Sequence, residues 1–130
     1  MTTTVTEQVA LDRIGQIAIR VHDVGRAMRF YRDTLGMRFL FEVPNMAFFD
    51  CGGVRLMLST TESAEHDHPG SVLYYKVPDL NVTYELLRKR EVDFIDKPHL
   101  IAQLEHHDLW MVFFRDTEGN ILALMSEIPR

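Results

Sequence analysis

The same order of predicted elements occurs twice along the chain, and this repeat constrains the fold more than any other sequence feature. Apolar and polar residues alternate over 14–21, as in a β-strand, and Asp23 follows at a position typical of a helix N-cap. The alternation recurs over 72–77 and is again followed by an aspartate, Asp79, after a shift of 56 residues. Each half therefore predicts a strand followed directly by a helix.

Three further strand-like segments follow the helix in each half, so the repeated unit is strand–helix–strand–strand–strand, a βαβββ module. The modules cover approximately 14–60 and 71–127, and a polar linker separates them. We expect a single domain over 14–130, preceded by a flexible, Thr-rich N-terminal arm over 1–13. The predicted fold class is α+β, with the two modules in tandem.

Composition and charge exclude several functional classes. The 130 residues suffice for one domain with its own core, without a disulfide or a structural metal. The formal net charge of −5 disfavours nucleic-acid binding, which requires clustered cations, and no apolar run is long enough to cross a membrane. The single cysteine, Cys51, excludes an internal disulfide and a cysteine-rich zinc site. The N-terminal residues lack the features of a signal peptide, so we expect a cytoplasmic protein.

Three motifs, arranged in order around the repeat, resemble the vicinal oxygen chelate superfamily. They are Ile17-x-Ile19-x-Val21-x-Asp23, Phe30-Tyr31 followed by Leu35-Gly36, and Phe114-x-Asp116-x-x-Gly119-Asn120-x-Leu122-x-Leu124. In the last motif Thr117 replaces the family's proline. The superfamily includes glyoxalase I, extradiol dioxygenases, and fosfomycin- and bleomycin-resistance proteins. The resemblance implies βαβββ modules whose curled mixed sheets form a cup for small-molecule chemistry, and it also implies a homodimer.

The resemblance further implies where metal-using members of the family hold their cation. The corresponding positions are Gln16 and Val72 in the first strands, and Met57 and Ala123 in the last strands. Divalent cations favour imidazole, carboxylate and thiolate ligands. Two of the four side chains offer no donor atom, and the others offer a soft thioether and a neutral amide. We therefore expect no metal at these positions and no cofactor, and we expect Gln16 to hydrogen-bond a ligand or a neighbouring strand.

Strand alternation predicts which side chains line the cup. The predicted lining consists of Gln16, Ala18, Arg20, Arg55, Met57, Ser59, Val72, Tyr74, Lys76, Ile121, Ala123 and Met125. Its centre is apolar and its edges are polar or basic, which is typical of small-molecule pockets. Tyr74 and Trp110 are candidates to stack on a ligand, and the basic residues either capture a carboxylate or phosphate or pair with acidic side chains. The candidate ligand-binding residues are Gln16, Arg20, Arg55, Met57, Val72, Tyr74, Trp110 and Ala123.

Three functional hypotheses remain open. The first is metal-independent binding of a small, partly apolar molecule, similar to sequestration by bleomycin-resistance proteins. The second is an enzyme of the same fold, a lyase, isomerase or oxidoreductase with a non-standard site in which His107 acts as acid or base. The third is a regulatory or interaction module whose cup is filled by its own side chains. His66 and His68 lie in the linker and favour a solvated loop over a metal site.

Overall fold

The computed structural model describes residues 9–60 and 70–130. Its first module follows the predicted order of elements. Strand β1 (Gln16–Arg20) precedes helix α1 (Val24–Arg29), which continues as a π-helical turn over Phe30–Thr34. Strands β2 (Arg38–Val43), β3 (Met46–Cys51) and β4 (Val54–Ser59) then complete the module.

The second module repeats this order and adds one strand. Strand β5 (Leu73–Lys76) precedes helix α2 (Leu80–Lys89). Strands β6 (Asp93–Phe94), β7 (His99–Gln103), β8 (His107–Arg115) and β9 (Ile121–Pro129) follow. Strand β7 is the addition that the repeat does not predict. The linker histidines His66 and His68 lie outside the described residues.

Each module forms its own mixed sheet. The strand order is β1-β4-β3-β2 in sheet 1 and β5-β9-β8-β6 in sheet 2, where β7 also pairs with β8. The β1–β4 and β5–β9 pairs are parallel, whereas the other pairs are antiparallel. The first strand of each module therefore forms a sheet edge and lies beside the last strand of that module. The predicted α+β class, with two βαβββ modules and mixed sheets, is confirmed.

Both helices begin at the aspartates predicted as N-caps. Asp23 Oδ1 accepts a hydrogen bond from Arg26 N at 3.0 Å, and Asp79 Oδ1 accepts one from Val82 N at 3.2 Å. Each bond satisfies a backbone N–H group that the first helical turn leaves without a partner. Gly36 follows the π-helical turn with a φ of 71°, a left-handed conformation that suits glycine and lets the chain turn into β2.

One hydrophobic core unites the two modules. Helix α1 packs on β3 and β4, and α2 packs on β8 and β9. Fully buried side chains in this core include Phe49 and Leu56 from module one and Phe114 and Leu122 from module two. Burial of one such side chain stabilises the fold by roughly 1.5–3 kcal/mol. The core covers one face of each sheet, and the opposite face stays open. Within the described residues, no helix is long and apolar enough to span a membrane.

The turn between β8 and β9, residues 116–120, binds module two to module one through buried polar groups. Asp116 Oδ2 accepts hydrogen bonds from the Tyr31 hydroxyl at 2.8 Å and from Asn120 Nδ2 at 2.9 Å. Asp116 Oδ1 accepts bonds from two backbone N–H groups of the turn itself, which fixes its shape. Asn120 Nδ2 also donates to the Arg20 carbonyl at 2.9 Å. The turn is thus held against β1 and α1.

Glu118 is the second carboxylate by which this turn holds module one. Its side chain is fully buried, and Oε1 accepts hydrogen bonds from His22 N at 2.7 Å and Asp23 N at 2.9 Å. Oε2 accepts bonds from Arg26 Nε at 3.0 Å and Arg26 Nη2 at 2.6 Å. Burial raises the pKa of Glu118, but the two backbone donors and the Arg26 guanidinium outweigh burial and lower the pKa to about 2.

We expect Glu118→Gln to destabilise the protein in a pH-dependent manner. Folding lowers the pKa of Glu118 from 4.5 to about 2, which corresponds to a stabilisation on the order of 3 kcal/mol. This stabilisation is fully present above the unfolded-state pKa and is lost as the pH falls towards the folded-state pKa. The loss in the free energy of unfolding in Glu118→Gln relative to wild type, measured with urea, should therefore be larger at pH 7 than at pH 3 by roughly 2 kcal/mol.

Glu85→Gln is the matched control, because Glu85 pairs with Arg88 at 3.4 Å on the exposed surface of α2. Exposed ion pairs contribute at most about 1 kcal/mol, so we expect little change at either pH. The role assigned to Glu118 would be contradicted by a loss no larger than that in Glu85→Gln, or by a loss of equal size at both pH values.

Two tyrosines with buried hydroxyl groups provide a second test of the polar contact between the modules. Tyr31→Phe removes the donor to Asp116 and should lower the free energy of unfolding by about 1.5–3 kcal/mol, as expected for a hydrogen bond to a charged group. Tyr75→Phe removes a buried hydroxyl that has no hydrogen-bond partner among the described residues, so stability should stay the same or rise slightly. Urea unfolding at pH 7 measures both, and equal losses would argue against the Tyr31–Asp116 bond.

Candidate functional site

The faces of the two sheets that no helix covers form the cup. The module-one face carries Gln16, Ala18, Arg20, Phe41, Phe48, Asp50, Arg55 and Met57. The module-two face carries Val72, Tyr74, Lys76, His107, Met111, Phe113, Ala123, Met125 and Glu127. These assignments follow from strand alternation and from the register, because cross-strand partners point to the same side of a sheet. Every candidate ligand-binding residue except Trp110 lies on one of these faces.

The Gln16 side chain is fixed by two neighbours on β4. Gln16 Oε1 accepts a hydrogen bond from Arg55 Nε at 2.6 Å, and Gln16 Nε2 lies 3.8 Å from Met57 Sδ. The guanidinium carbon of Arg55 lies 5.6 Å from the centre of the Phe48 ring, as in a cation–π contact. Phe48 stacks in turn on Phe41, with ring centres 4.6 Å apart. The contact with β4 is one of the two roles expected for Gln16.

A cavity of about 280 Å³ lies at the seam where the first strands of the two modules approach each other. Its lining comes from Ile17–Arg20 on β1, from residues 70–73 at the start of β5, and from residues 119–122. Arg20 and Val72, both candidate ligand-binding residues, border this seam cavity. Arg20 Nη2 donates to Asn120 Oδ1 at 3.5 Å, so part of its guanidinium is directed towards the 116–120 turn.

The centre of the module-two face is aromatic and apolar. Tyr74 packs edge-on against Phe113, with ring centres 5.9 Å apart. Ala123 lies between them in the register, opposite both residues, and is fully buried. Tyr74 itself remains 47% exposed, which leaves part of its ring available for contact with a ligand.

The edge of the module-two face carries three ionisable side chains. Glu127 Oε2 lies 3.3 Å from His107 Nε2 and 3.5 Å from Lys76 Nζ. His107 therefore faces the cup, where the sequence placed a candidate acid or base. For the basic residues we expected either capture of an anionic ligand or pairing with an acidic side chain. Lys76 pairs with an acidic side chain.

The structure corrects the prediction for Trp110. Trp110 lies opposite the fully buried Ser126 and packs against the hydrophobic core, on the helix-covered face of β8. Side chains alternate along a strand, so Trp110 and Phe113 point to opposite faces. Phe113, which is absent from the predicted lining, takes the position beside Tyr74 instead.

The side chains at the implied metal positions do not fit a divalent cation. Val72 and Ala123 carry no donor atom, and the Gln16 amide oxygen already accepts a hydrogen bond from Arg55. The remaining position, Met57, supplies only a thioether, which is a poor ligand for hard or borderline dications. Across residues 9–60 and 70–130, no group of three or more His, Cys, Asp or Glu side chains is arranged to hold a metal ion.

Several known proteins share sequence or architecture with this chain. Metallothiol transferase FosB from Staphylococcus haemolyticus is 27% identical over 120 residues, which cover 85% of this chain and 81% of FosB. A glyoxylase-like domain-containing protein from Didymella fabae is 30% identical over 128 residues, 88% of this chain and 93% of that protein. The crystal structure of lactoylglutathione lyase from Agrobacterium tumefaciens is similar with a TM-score of 0.72 and 20% identity, covering 90% of this chain and 95% of that one.

A family model also matches most of the chain. The model of the Glyoxalase/Bleomycin resistance protein/Dioxygenase superfamily matches residues 13–124, which include both helices and the three motifs on which the resemblance depends. The fold of the relatives and the order of these motifs agree with that match. The chain therefore belongs to the Glyoxalase/Bleomycin resistance protein/Dioxygenase superfamily.

Proposed function

We propose that the protein binds a small, partly apolar molecule in its cup without a metal ion, in the manner of sequestration by bleomycin-resistance proteins. One observation carries this proposal. The Gln16 amide oxygen, which lies at an implied metal position, accepts a 2.6 Å hydrogen bond from Arg55. The other implied positions hold side chains without a suitable donor. The cup therefore offers contact surface and hydrogen bonds, which suit binding better than metal-assisted chemistry.

The exposure of the lining supports a site that is open to a ligand. Phe41 and Tyr74, one on each face, are 45% and 47% exposed. A module whose cup is filled by its own side chains would bury such rings. The seam cavity adds a partly open space of about 280 Å³ between the modules. Mostly apolar walls with a few polar groups are typical of small-molecule sites.

The relatives do not decide between binding and catalysis. FosB is named a metallothiol transferase, and its identity to this chain is 27%. Here the donor set at the implied metal positions does not fit a dication. We therefore do not extend a metal-dependent activity to this chain, and we favour ligand binding.

An enzyme is the second candidate function, and the pair of His107 and Glu127 favours it. The two side chains lie 3.3 Å apart, a spacing at which a carboxylate orients an imidazole that accepts or donates a proton. A lyase, isomerase or oxidoreductase activity would depend on this pair. Burial raises the pKa of the Cys51 thiol, so a cysteine nucleophile receives no support. Turnover that is lost in His107→Gln with the fold intact would establish the enzyme, whereas a ligand recovered unchanged supports binding.

A homodimer is part of the proposal. Leu40 and Val43 on β2, the outer strand of sheet 1, are 40% and 44% exposed. Exposed apolar side chains along a sheet edge are suited to an interface with a second copy. Sedimentation equilibrium should give twice the mass of one chain, and a single-chain mass at high concentration would contradict the dimer.

We expect the neutral probe 2-naphthamide to bind in the cup in the presence of EDTA. Methyl NMR should show shifts for Met57 and Met125, which lie on the two open faces, and none for Met28 in the core. Ala18→Trp should weaken binding by about tenfold or more, because the exposed Ala18 borders the seam cavity and the larger ring would occupy it.

Val82→Trp is the control, since Val82 is 56% exposed on α2, which covers the opposite face of sheet 2. It should leave binding unchanged. Loss of the Met57 and Met125 shifts on addition of EDTA would contradict metal-independent binding. Equal weakening in both tryptophan variants would contradict the location of the site.

A further inference from the structure

Arg55 is an exposed cation on the module-one face, and its ordered hydrogen-bond partner is a neutral amide. Its Nε donates to the Gln16 amide oxygen, and its guanidinium lies over the Phe48 ring. It forms no ion pair with the described carboxylates. The guanidinium thus has a fixed position and keeps its full positive charge.

The other basic side chains near this site differ from Arg55 in exposure or in partner. Arg20 is only partly exposed, and its Nη2 donates to Asn120 Oδ1 at 3.5 Å beside the seam cavity. Lys76 lies 3.5 Å from Glu127 on the module-two face. Asp50 stands directly across from Arg55 in the register, but its carboxylate pairs with Arg38 at 3.8 Å and accepts a hydrogen bond from Gly53 N at 3.1 Å. These contacts leave Arg55 as the cation that is best placed to meet an anionic ligand.

The geometry of the guanidinium determines which anion it suits. Gln16 takes the Nε–H, whereas the two terminal nitrogens have no hydrogen-bond partner among the described residues. Two terminal nitrogens in one plane match the two oxygens of a carboxylate. Met57 lies beside Gln16, and Phe41, which is 45% exposed and stacks on the buried Phe48, adds an apolar, polarisable surface to the same face.

We propose that Arg55, held by Gln16, makes the cup selective for aromatic carboxylates. The carboxylate binds the terminal nitrogens of Arg55, and the ring packs along Met57 and the exposed Phe41. The guanidinium then supplies a positive charge next to a position where the family's metal-using members hold a cation. This inference rests on the proposed function and specifies its ligand. It also means that the net charge of −5 does not describe the cup, which is locally basic.

A pair of probes with the same ring isolates the charge. 2-Naphthoate carries a carboxylate where 2-naphthamide carries a neutral amide, so the two differ chiefly in what meets Arg55. Titrations followed by the Met57 methyl signal give both dissociation constants, with EDTA present throughout. Wild type should bind 2-naphthoate about tenfold or more tightly than 2-naphthamide, because charge-assisted hydrogen bonds are roughly twice as strong as neutral ones.

Two substitutions should remove this preference by different routes. Arg55→Gln removes the cation. Gln16→Glu keeps the shape of the side chain and the acceptor for Arg55 Nε but places a negative charge beside the guanidinium. This substitution should weaken the binding of 2-naphthoate and leave the binding of 2-naphthamide unchanged. Gln16 is a positioning residue in this scheme. Both positions are exposed, so the fold should persist, and an unchanged Met28 signal verifies this.

Arg88→Gln is the matched control. Arg88 also lies 5.6 Å from an aromatic ring, that of Tyr84, but it is on α2 and pairs with Glu85. It should retain the full preference for 2-naphthoate. Arg55→Lys keeps the charge without the fork, so its preference should lie between those of wild type and Arg55→Gln.

The outcomes separate this inference from the proposed function. If 2-naphthamide binds in the cup but 2-naphthoate binds no more tightly, selectivity for carboxylates is wrong and metal-independent binding stands. If Arg55→Gln or Gln16→Glu still prefers 2-naphthoate to 2-naphthamide, the role of Arg55 is wrong, whereas metal-independent binding again stands. If neither probe shifts Met57 or Met125, the proposed function fails and the inference fails with it.

Discussion

Three buried polar residues of the 116–120 turn, Asp116, Glu118 and Asn120, fix how the two modules sit together, and the geometry of the cup depends on them. Within the described residues no β-ladder joins sheet 1 to sheet 2, so strand pairing does not set their relative position. Asp116 and Glu118 instead bind the side chains and backbone of α1 and the residues that precede it. Asn120 binds the carbonyl of Arg20 at the end of β1, beside the seam cavity. The same polar turn therefore contributes to the stability of the fold and to the geometry of the candidate site.

The two open faces hold their cations differently. On the module-two face, Lys76 pairs with Glu127, so their charges largely cancel, and His107 also contacts Glu127. On the module-one face, a neutral amide from Gln16 orients Arg55 without cancelling its charge. Screening by water makes an exposed ion pair a weak stabiliser. A guanidinium with an uncharged partner instead remains available for an anion.

Sequence periodicity predicts those parts of the structure that depend on local pattern. The alternation along β1 and β9 places Gln16 and Ala123 on open faces, and the N-cap aspartates mark both helices. Trp110 is misplaced because residues 109–114 are all apolar, so alternation gives no signal and only the pairing with β9 determines the face. Glu118 resembles a solvated turn residue in the sequence. Its burial depends on module one, more than 90 residues away, which no local pattern reports.

A guanidinium in place of a metal changes what the cup can do. A metal ion polarises a bound oxygen and stabilises charge that develops during a reaction, whereas an arginine fork best matches a carboxylate that is already charged. Interactions that are equally strong in the ground state and the transition state hold a ligand without lowering a barrier. The side chains of His107 and Glu127 belong to the other sheet, and Glu127 also pairs with Lys76. In the proposed cup, the anion is bound by an arginine whose contact with a carboxylate is already available in the ground state, which favours retention of the ligand over its conversion.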